Sequence, residues 1–438
     1  MTRPRLERDF ALLFAVMLVI GAGNTALQSV MPAIGRSLGV PDGVIAMAFS
    51  VSALVWVIAA PFWAKRSDRT GRRRMVLTGV MGFSVSVLLC GFFLTAGIHG
   101  LIAPVATIAS FIAARMVYGL FGAAAPPAAQ AILASRTTRA ERTKALTLLA
   151  SAFGLGTILG PALAPFFVLP GVGLAGPAYF FAAGGGAVAF AVWRYLPNDA
   201  PGEHGHGAAT SYPSIGGNLT GASVIAATTE RGTAELPLRD PRVWPWLLTG
   251  LVAGHAQAMV GQSVGFLVID RLGESPGLAQ SSIGLVLMSG AGAALLVQWG
   301  LIPLLDLKPR ALVLIGLVVA ATGGCAIASA GSLYGIATAF ALTSAGFGFV
   351  RPGYTAGSSL AVGPELQALV AGRVTSVNGA SFVLGPSIGV GLYELWRPAP
   401  YVLAATLCAL LFAYSLVRLR PGELHKKRAG PGGPTRKF

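Results

Sequence analysis

Charge is scarce in this 438-residue chain, so the polar residues set inside its apolar stretches are the ones able to do chemistry. Arg115, Arg351 and Arg373 lie within long runs of Ala, Val, Leu, Gly and Phe. A guanidinium stays charged at any physiological pH and costs about 2.5–3.5 kcal/mol at the centre of a bilayer, so each must find water, a partner or the headgroups. Arg351 and Arg373 are near enough to one surface to snorkel. If they and Arg115 instead point inward, the interior is positive and favours a neutral or anionic ligand. His255 has the ordinary pKa best suited to carrying a proton, and it shares a helical stripe with Met259, Gln262 and Phe266 that either lines a cavity or packs. Asn24 and Gln28 fall one turn apart on one helical face, and Tyr118, Tyr354 and Asn378 are further cavity candidates beside the arginines. All sixteen acidic residues fall in loops or near the ends of apolar runs, which leaves the rim acids Asp270 and Glu394 as the carboxyls nearest the interior.

These residues need elements that hold them in an apolar medium. With 54% hydrophobic residues, 11% charged residues and a mean hydropathy of +0.70, the chain has too little polar surface to coat a water-soluble globule of its length. An all-α, multi-pass membrane protein is expected, with twelve spans of the roughly twenty residues that cross a bilayer. The spans fall at about 10–34, 44–64, 75–97, 101–133, 144–169, 174–196, 243–270, 279–305, 310–330, 333–362, 366–394 and 399–418. Arg3, Arg5 and Arg8 precede the first span, which is too long for a signal-peptide core and has no small-residue cleavage site.

A net charge of +16 suggests nucleic acid in a soluble protein, but its placement here gives a different meaning. With both termini inside, 26 of the 32 basic residues fall on the cytoplasmic side and only Arg36, Arg271 and Arg397 in outer loops. That asymmetry fixes an inner-membrane protein with cytoplasmic ends and no nucleic-acid partner. Residues 1–196 and 243–418 form two six-span halves, 197–242 a linker of Gly, Ser, Thr, Asn and Pro, and 419–438 a basic tail. Glu203-His204-Gly205-His206 in the linker is read as solvated, with no metal site or cofactor expected. The Asn218-Leu219-Thr220 sequon lies on the cytoplasmic side and stays bare. Cys90, Cys325 and Cys408 lie far apart in apolar runs and read as packing residues.

The halves repeat one another. Pro127, Ser151, Gly154, Leu159, Gly160 and Pro161 recur 225 positions later as Pro352, Ser376, Gly379, Leu384, Gly385 and Pro386. This is the parallel repeat of two bundles related by an axis along the membrane normal.

Ser67 to Arg74 reads Ser-Asp-Arg-Thr-Gly-Arg-Arg-Arg, the densest charge in the chain. Asp68, Arg69, Gly71, Arg72 and Arg73 resemble the loop between the second and third helices of the major facilitator superfamily, with Ala64 where that family has glycine. Arg115 to Ala123 is similar to the family's Arg-x-x-Gln-Gly pattern, with Tyr118 in place of glutamine. Gly156, Gly160, Pro161 and Ala164 are similar to the signature of its antiporter branch, with alanine for the last glycine. The resemblance covers nearly the whole chain and is best for the twelve-span drug:proton antiporters. It implies a gate built from Asp68, Arg69, Gly71, Arg72, Arg73 and Glu141, proton coupling through Arg115, and a bend in the fifth span that governs export. The alternative for the loop is a lipid anchor, which needs only its positive charges and leaves Asp68 superfluous, and from the residues alone the small residues of the fifth span are equally a packing face.

The expected function is a secondary transporter, not an enzyme, that exports a small amphiphilic compound by alternating access in exchange for protons. It is expected to act as a monomer among membrane lipids, with coupling through Arg115, His255 and Asp270. The alternatives are an organic-anion exporter or exchanger using Arg115, Arg351 and Arg373, and a non-transporting receptor or scaffold of the same fold.

Overall fold

In a computed structural model the chain is described over residues 3–137, 139–198, 236–237, 239–363 and 366–419. The first half runs α1 (Arg3–Ser37), α2 (Asp42–Thr70), α3 (Arg72–Ile98), α4 (Pro104–Val117), α5 (Ala125–Arg136), α6 (Arg139–Leu163) and α7 (Gly176–Tyr195). The second runs α8 (Trp244–Leu272), α9 (Pro276–Leu295), α10 (Ile302–Leu305), α11 (Pro309–Ser329), α12 (Leu333–Leu360), α13 (Gln367–Leu395) and α14 (Ala399–Arg418). Since α4 with α5, and α9 with α10, each make one pass, twelve passes result. Among the described residues, eleven are long and apolar enough to cross a bilayer. The remaining one, α13, spans 29 residues but carries Arg373, Thr375, Ser376, Asn378, Ser381 and Ser387, which lower its apolarity. The protein is an integral, multi-pass membrane protein.

Two passes are broken by wide turns, and prolines explain both. A π turn, Tyr118–Gly122, separates α4 from α5, immediately before Pro126 and Pro127. Proline has no N–H and its ring clashes with the carbonyl four residues back, so the chain widens there to avoid both conflicts. The Arg115 carbonyl accepts from the Ser52 hydroxyl at 2.9 Å, that of Ala114 from Ser86 at 2.6 Å and that of Leu120 from the Trp63 indole at 2.6 Å. These bonds tie the distorted turn to α2 and α3. The second wide turn, Leu296–Leu301, precedes Pro303 in the same way.

The expected loop at Ser67 to Arg74 is shorter than the charge run suggests. Helix α2 continues through Thr70 and α3 begins at Arg72, so Gly71 alone turns the chain, at φ 91° and ψ 126°. A side chain rarely adopts that backbone conformation, which accounts for glycine there. Charged residues past the membrane surface are still good helix formers, and hydropathy therefore ends a span before the helix ends.

Within each half the same contact recurs. Gly156 lies so close to α1 that a Cβ would stand 2.6 Å from the Leu18 carbonyl, and Gly160 presses on Ala22 and Ala26. In the second half Gly385 sits against Ala258 and His255 of α8, and Gly389 against Met259. The repeat seen in sequence is thus a pair of close helix contacts, α6 on α1 and α13 on α8, of the kind that small residues allow in membranes.

The two halves meet mainly toward one end of the bundle, the end predicted to face outward. There Pro32 packs on Gly265, and Pro161 and Pro165 on Gly284, while the packing of Val57 on Gly379 carries the contact of α2 with α13 down to the middle of the bundle. The Gln280 amide donates to the Ser29 hydroxyl at 3.1 Å and the Ser387 hydroxyl to that of Ser50 at 2.8 Å.

Candidate functional site

Arg115 is fully buried between α1, α2 and α4. Its Nη2 donates to Asn24 Oδ1 at 2.6 Å, and its guanidinium lies 5.0 Å from the Phe49 ring centre and 4.8 Å from that of Tyr118. Trp56 and Phe83 in turn pack their rings on Tyr118 at 5.3 and 5.8 Å. The charge therefore faces an amide and the negative faces of two rings, an arrangement that lowers its cost. Gln28, one turn from Asn24, is also buried.

The second half offers its own buried polar groups. Arg351 of α12 is buried and donates through Nη2 to Gln257 Oε1 of α8 at 3.4 Å. One turn on, the Tyr354 hydroxyl donates to Asn378 Oδ1 of α13 in a short hydrogen bond. Near Gln257 a small cleft, lined by Phe340, Thr343, Ser344 and Phe347 of α12 and by Gly290 of α9, adds two hydroxyls. Arg373 lies apart from this group: it donates to the Leu236 and Pro237 carbonyls and so clasps the chain entering α8.

His255 Nδ1 lies 2.7 Å from the Leu251 carbonyl, which assigns the proton to that nitrogen because a carbonyl only accepts. In its stripe, Met259 meets Gly389, the Phe266 ring lies tilted against that of Tyr393 with centroids 6.4 Å apart, and Gln262 is buried. The backbone at His255 and Met259, and the Phe266 ring, lie against α13.

At the expected gate, Gly71 makes the turn described above. Arg72 is buried and donates to the Ala131 carbonyl of α5 at 3.4 Å, while Arg73 donates to Asn198 Oδ1 at 2.6 Å and to the Trp193 carbonyl. Those bonds join α3 to other helices of its own half. The side chains of Asp68, Arg69 and Glu141 lie outside the described residues, as do His204, His206 and Asn218. Among the described residues no cluster of His, Cys, Asp or Glu could hold a metal ion.

Asp270 sits at the predicted outer end in a set of charges that joins the halves. Arg36 of α1 reaches Asp42 at 2.6 Å and Asp270 at 3.1 Å, Arg397 reaches Asp270 at 3.4 Å, and the Tyr393 hydroxyl donates to Asp270 at 2.7 Å. Nearby, the Gly43 amide donates to Glu394 at 2.9 Å. Sequence reasoning named Asp270 and Glu394 as rim acids but missed their partners Arg36, Asp42, Tyr393 and Arg397, which only the fold brings to them. Gln257, Ser52 and Trp63 were missed as well, their one signal being polarity within an apolar run.

Residues 13–372 match the sequence profile of the Major Facilitator Superfamily. Multidrug resistance protein 2 of Bacillus subtilis is 30% identical over 177 residues, 40% of each chain, so the match spans well under half of that relative. Multidrug resistance protein MdtL of Klebsiella pneumoniae is 24% identical over 93% of this chain and 92% of its own. Among solved structures, a bacterial homologue of the human lysosomal transporter Spinster, inward-facing and occupied, matches with a TM-score of 0.69 at 13% identity, covering 95% of this chain and 97% of that one. The human organic anion transporter MFSD10 matches with a TM-score of 0.61 at 19% identity, over 94% and 100%. Two six-pass halves with paired glycine contacts, a buried arginine in the fourth pass and a profile match over most of the length lead to one conclusion: the chain belongs to the Major Facilitator Superfamily.

Proposed function

We propose that this protein exports a small amphiphilic compound from the cytoplasm by alternating access, with protons moving the opposite way. The observation that carries this reading is the distribution of contacts: the halves are joined toward the predicted outer end, while buried polar groups of each half, Arg115 with Asn24 and Arg351 with Gln257, lie deeper in the bundle. A carrier needs such a seam on one side of its binding residues at a time. Similarity to multidrug resistance proteins supports a drug-like or metabolite substrate. The asymmetry of the basic residues supports cytoplasmic termini, and in that orientation this arrangement is open inward. A monomer suffices, since each chain holds both halves.

Arg115, Asn24, Gln28 and Tyr118 form the first-half wall of the cavity in this reading, and His255, Met259, Gln262, Arg351, Tyr354 and Asn378 the second-half wall. Coupling rests in this reading on Arg115, His255 and Asp270. The α6 and α13 bends at Gly156, Gly160, Pro161, Gly385 and Pro386 give the two halves their pivots. The loop residues Asp68, Arg69, Gly71, Arg72, Arg73 and Glu141 act as the inner gate.

One further reading has support. Arg351 is buried beside a neutral amide, and the human relative of similar fold is an organic anion transporter, which suits a carboxylate-bearing substrate exchanged without protons. Purified protein in liposomes with an imposed pH gradient separates the two. Proton movement on addition of a cationic or neutral dye supports the exporter; anion exchange without proton movement, lost in Arg351→Ala, supports the exchanger. Movement of neither sinks both.

A further inference from the structure

Two kinds of polar contact join the halves toward the predicted outer end. At the rim, Arg36, Asp42, Asp270 and Arg397 form a clasp of charges whose arginines are open to water. Inward of that clasp the seam is dry. Gln280 of α9 and Ser29 of α1 are both fully buried there, one helical turn from Gly284, where Pro161 and Pro165 press on α9. Gln280 Nε2 donates to the Ser29 hydroxyl at 3.1 Å, and that hydroxyl donates to the Ala26 carbonyl of its own helix at 2.7 Å. Among the described residues nothing donates to Gln280 Oε1, although the atom is buried. An amide oxygen has two lone pairs that water fills, so a buried and unpartnered one raises the energy of whichever arrangement buries it. Here that arrangement is the closed mouth. Once the halves part at this end, Gln280 and Ser29 separate, the whole amide meets water and the penalty disappears. The Ser50 and Ser387 hydroxyls, which also meet across the seam, leave no buried atom unpaired.

We propose that Gln280 is a built-in release for the outer seam, its half-satisfied amide keeping the closed mouth shallow enough to reopen. Around it the seam is apolar: Pro32 and Ile283 lie on Gly265, and the two prolines lie on Gly284. An apolar side chain of the same length at position 280 would complete that surface and deepen the closed state. The unpaired oxygen alone shifts the balance between closed and open mouth by a factor of about 5–150 toward open, and the bond to Ser29 offsets part of this. Gln280 is a positioning residue in this role, since it sets how readily the halves part and touches nothing that is carried. The proposal rests on the alternating-access reading for the existence of an open-mouthed arrangement, and on neither the substrate nor the protons.

Spin labels at Leu101→Cys and Tyr334→Cys, both exposed at the outer ends of opposite halves, read the mouth directly, with Cys90, Cys325 and Cys408 replaced by alanine. Their distance distribution is measured in lipid nanodiscs at one pH and without substrate. Gln280→Met, unbranched and of the same length, is expected to lower the ratio of long to short distances at least about fivefold. Ser29→Ala takes away the one partner of the amide and is expected to raise that ratio about 2–12-fold. In the double variant the effect of Ser29→Ala is expected to vanish, because no amide is left to lose its partner and the Ser29 hydroxyl is already paired with the Ala26 carbonyl. A residue that only filled space would loosen the seam in both single variants. A longer population in Gln280→Met, a ratio unmoved by either single variant, or a Ser29→Ala shift that persists in the double variant overturns the proposal. Failure of transport in liposomes with these shifts intact would remove the exporter reading and leave the release standing, whereas intact transport with no shifts would remove the release alone.

Discussion

Replacing Gly160 by alanine is expected to lower the melting temperature measurably, although alanine is the better helix former. A Cβ at this position would stand 2.9 Å from the Ala26 amide nitrogen, and nearer still to the Ala22 carbonyl and Thr25 hydroxyl, against an ordinary contact of 3.4–4 Å. Two of those three atoms are backbone, so α6 must move off α1 by a good fraction of an ångström. Overpacking of this kind costs about 1–3 kcal/mol. The appropriate reference is Gly186→Ala on α7, where a Cβ meets nothing within 4 Å. Both substitutions carry the same helix-propensity gain of up to about 1 kcal/mol, so it cancels between them and leaves the packing cost. At about 2 °C per kcal/mol for a chain of this size, the gap is about 2–6 °C. Thermal unfolding in detergent, followed by tryptophan fluorescence, measures it. Equal melting temperatures for the two variants would refute the claim that the glycine exists to let α6 touch α1.

Two more outcomes follow from single contacts. Asn24→Leu removes the amide acceptor from Arg115 and is expected to cost about 1.5–3 kcal/mol, a drop of about 3–6 °C, whereas Asn24→Asp supplies a carboxylate in the same place and should restore the loss; a drop with both variants would count against the bond. At the start of α8, hydrogen bonds from Arg242 hold the Asp240 carboxyl below its ordinary 3.8. That pair contributes stability above the ordinary value and loses it as pH falls through the depressed one. Arg242→Gln should therefore move the Asp240 titration upward by NMR and lower stability at neutral but not at strongly acid pH.

The spans were legible in the sequence because a bilayer imposes one length and one polarity on each. Their breaks were not, although Pro126, Pro127 and Pro303 carried the signal, since proline in a membrane helix signals a distortion without fixing its form. The charge run at Ser67 to Arg74 looked like a loop because hydropathy reports the membrane surface, while backbone conformation depends on Gly71 alone. Arg115 stood out as an isolated charge, but its partner Asn24 lies 91 residues away and its ring neighbours come from α2 and from the wide turn after α4. The outer clasp was the least legible feature: Arg36 and Asp270 are 234 residues apart, and each taken singly is an ordinary charge beside a turn. Internal repetition was the strongest guide to architecture, since Gly160 and Gly385 do the same work on α1 and α8.

Two halves that rock about their shared interface must part where they now touch. The Ser50 and Ser387 hydroxyl oxygens, one from each half, are 2.8 Å apart, close enough for sulfur atoms at those positions to bond at about 2.05 Å. The direct measurement is transport by Ser50→Cys, Ser387→Cys double-variant liposomes before oxidation, after oxidation and after reduction. The account predicts that oxidation stops transport and reduction restores it, with each single variant unaffected. Undiminished transport by the fully cross-linked protein would contradict it.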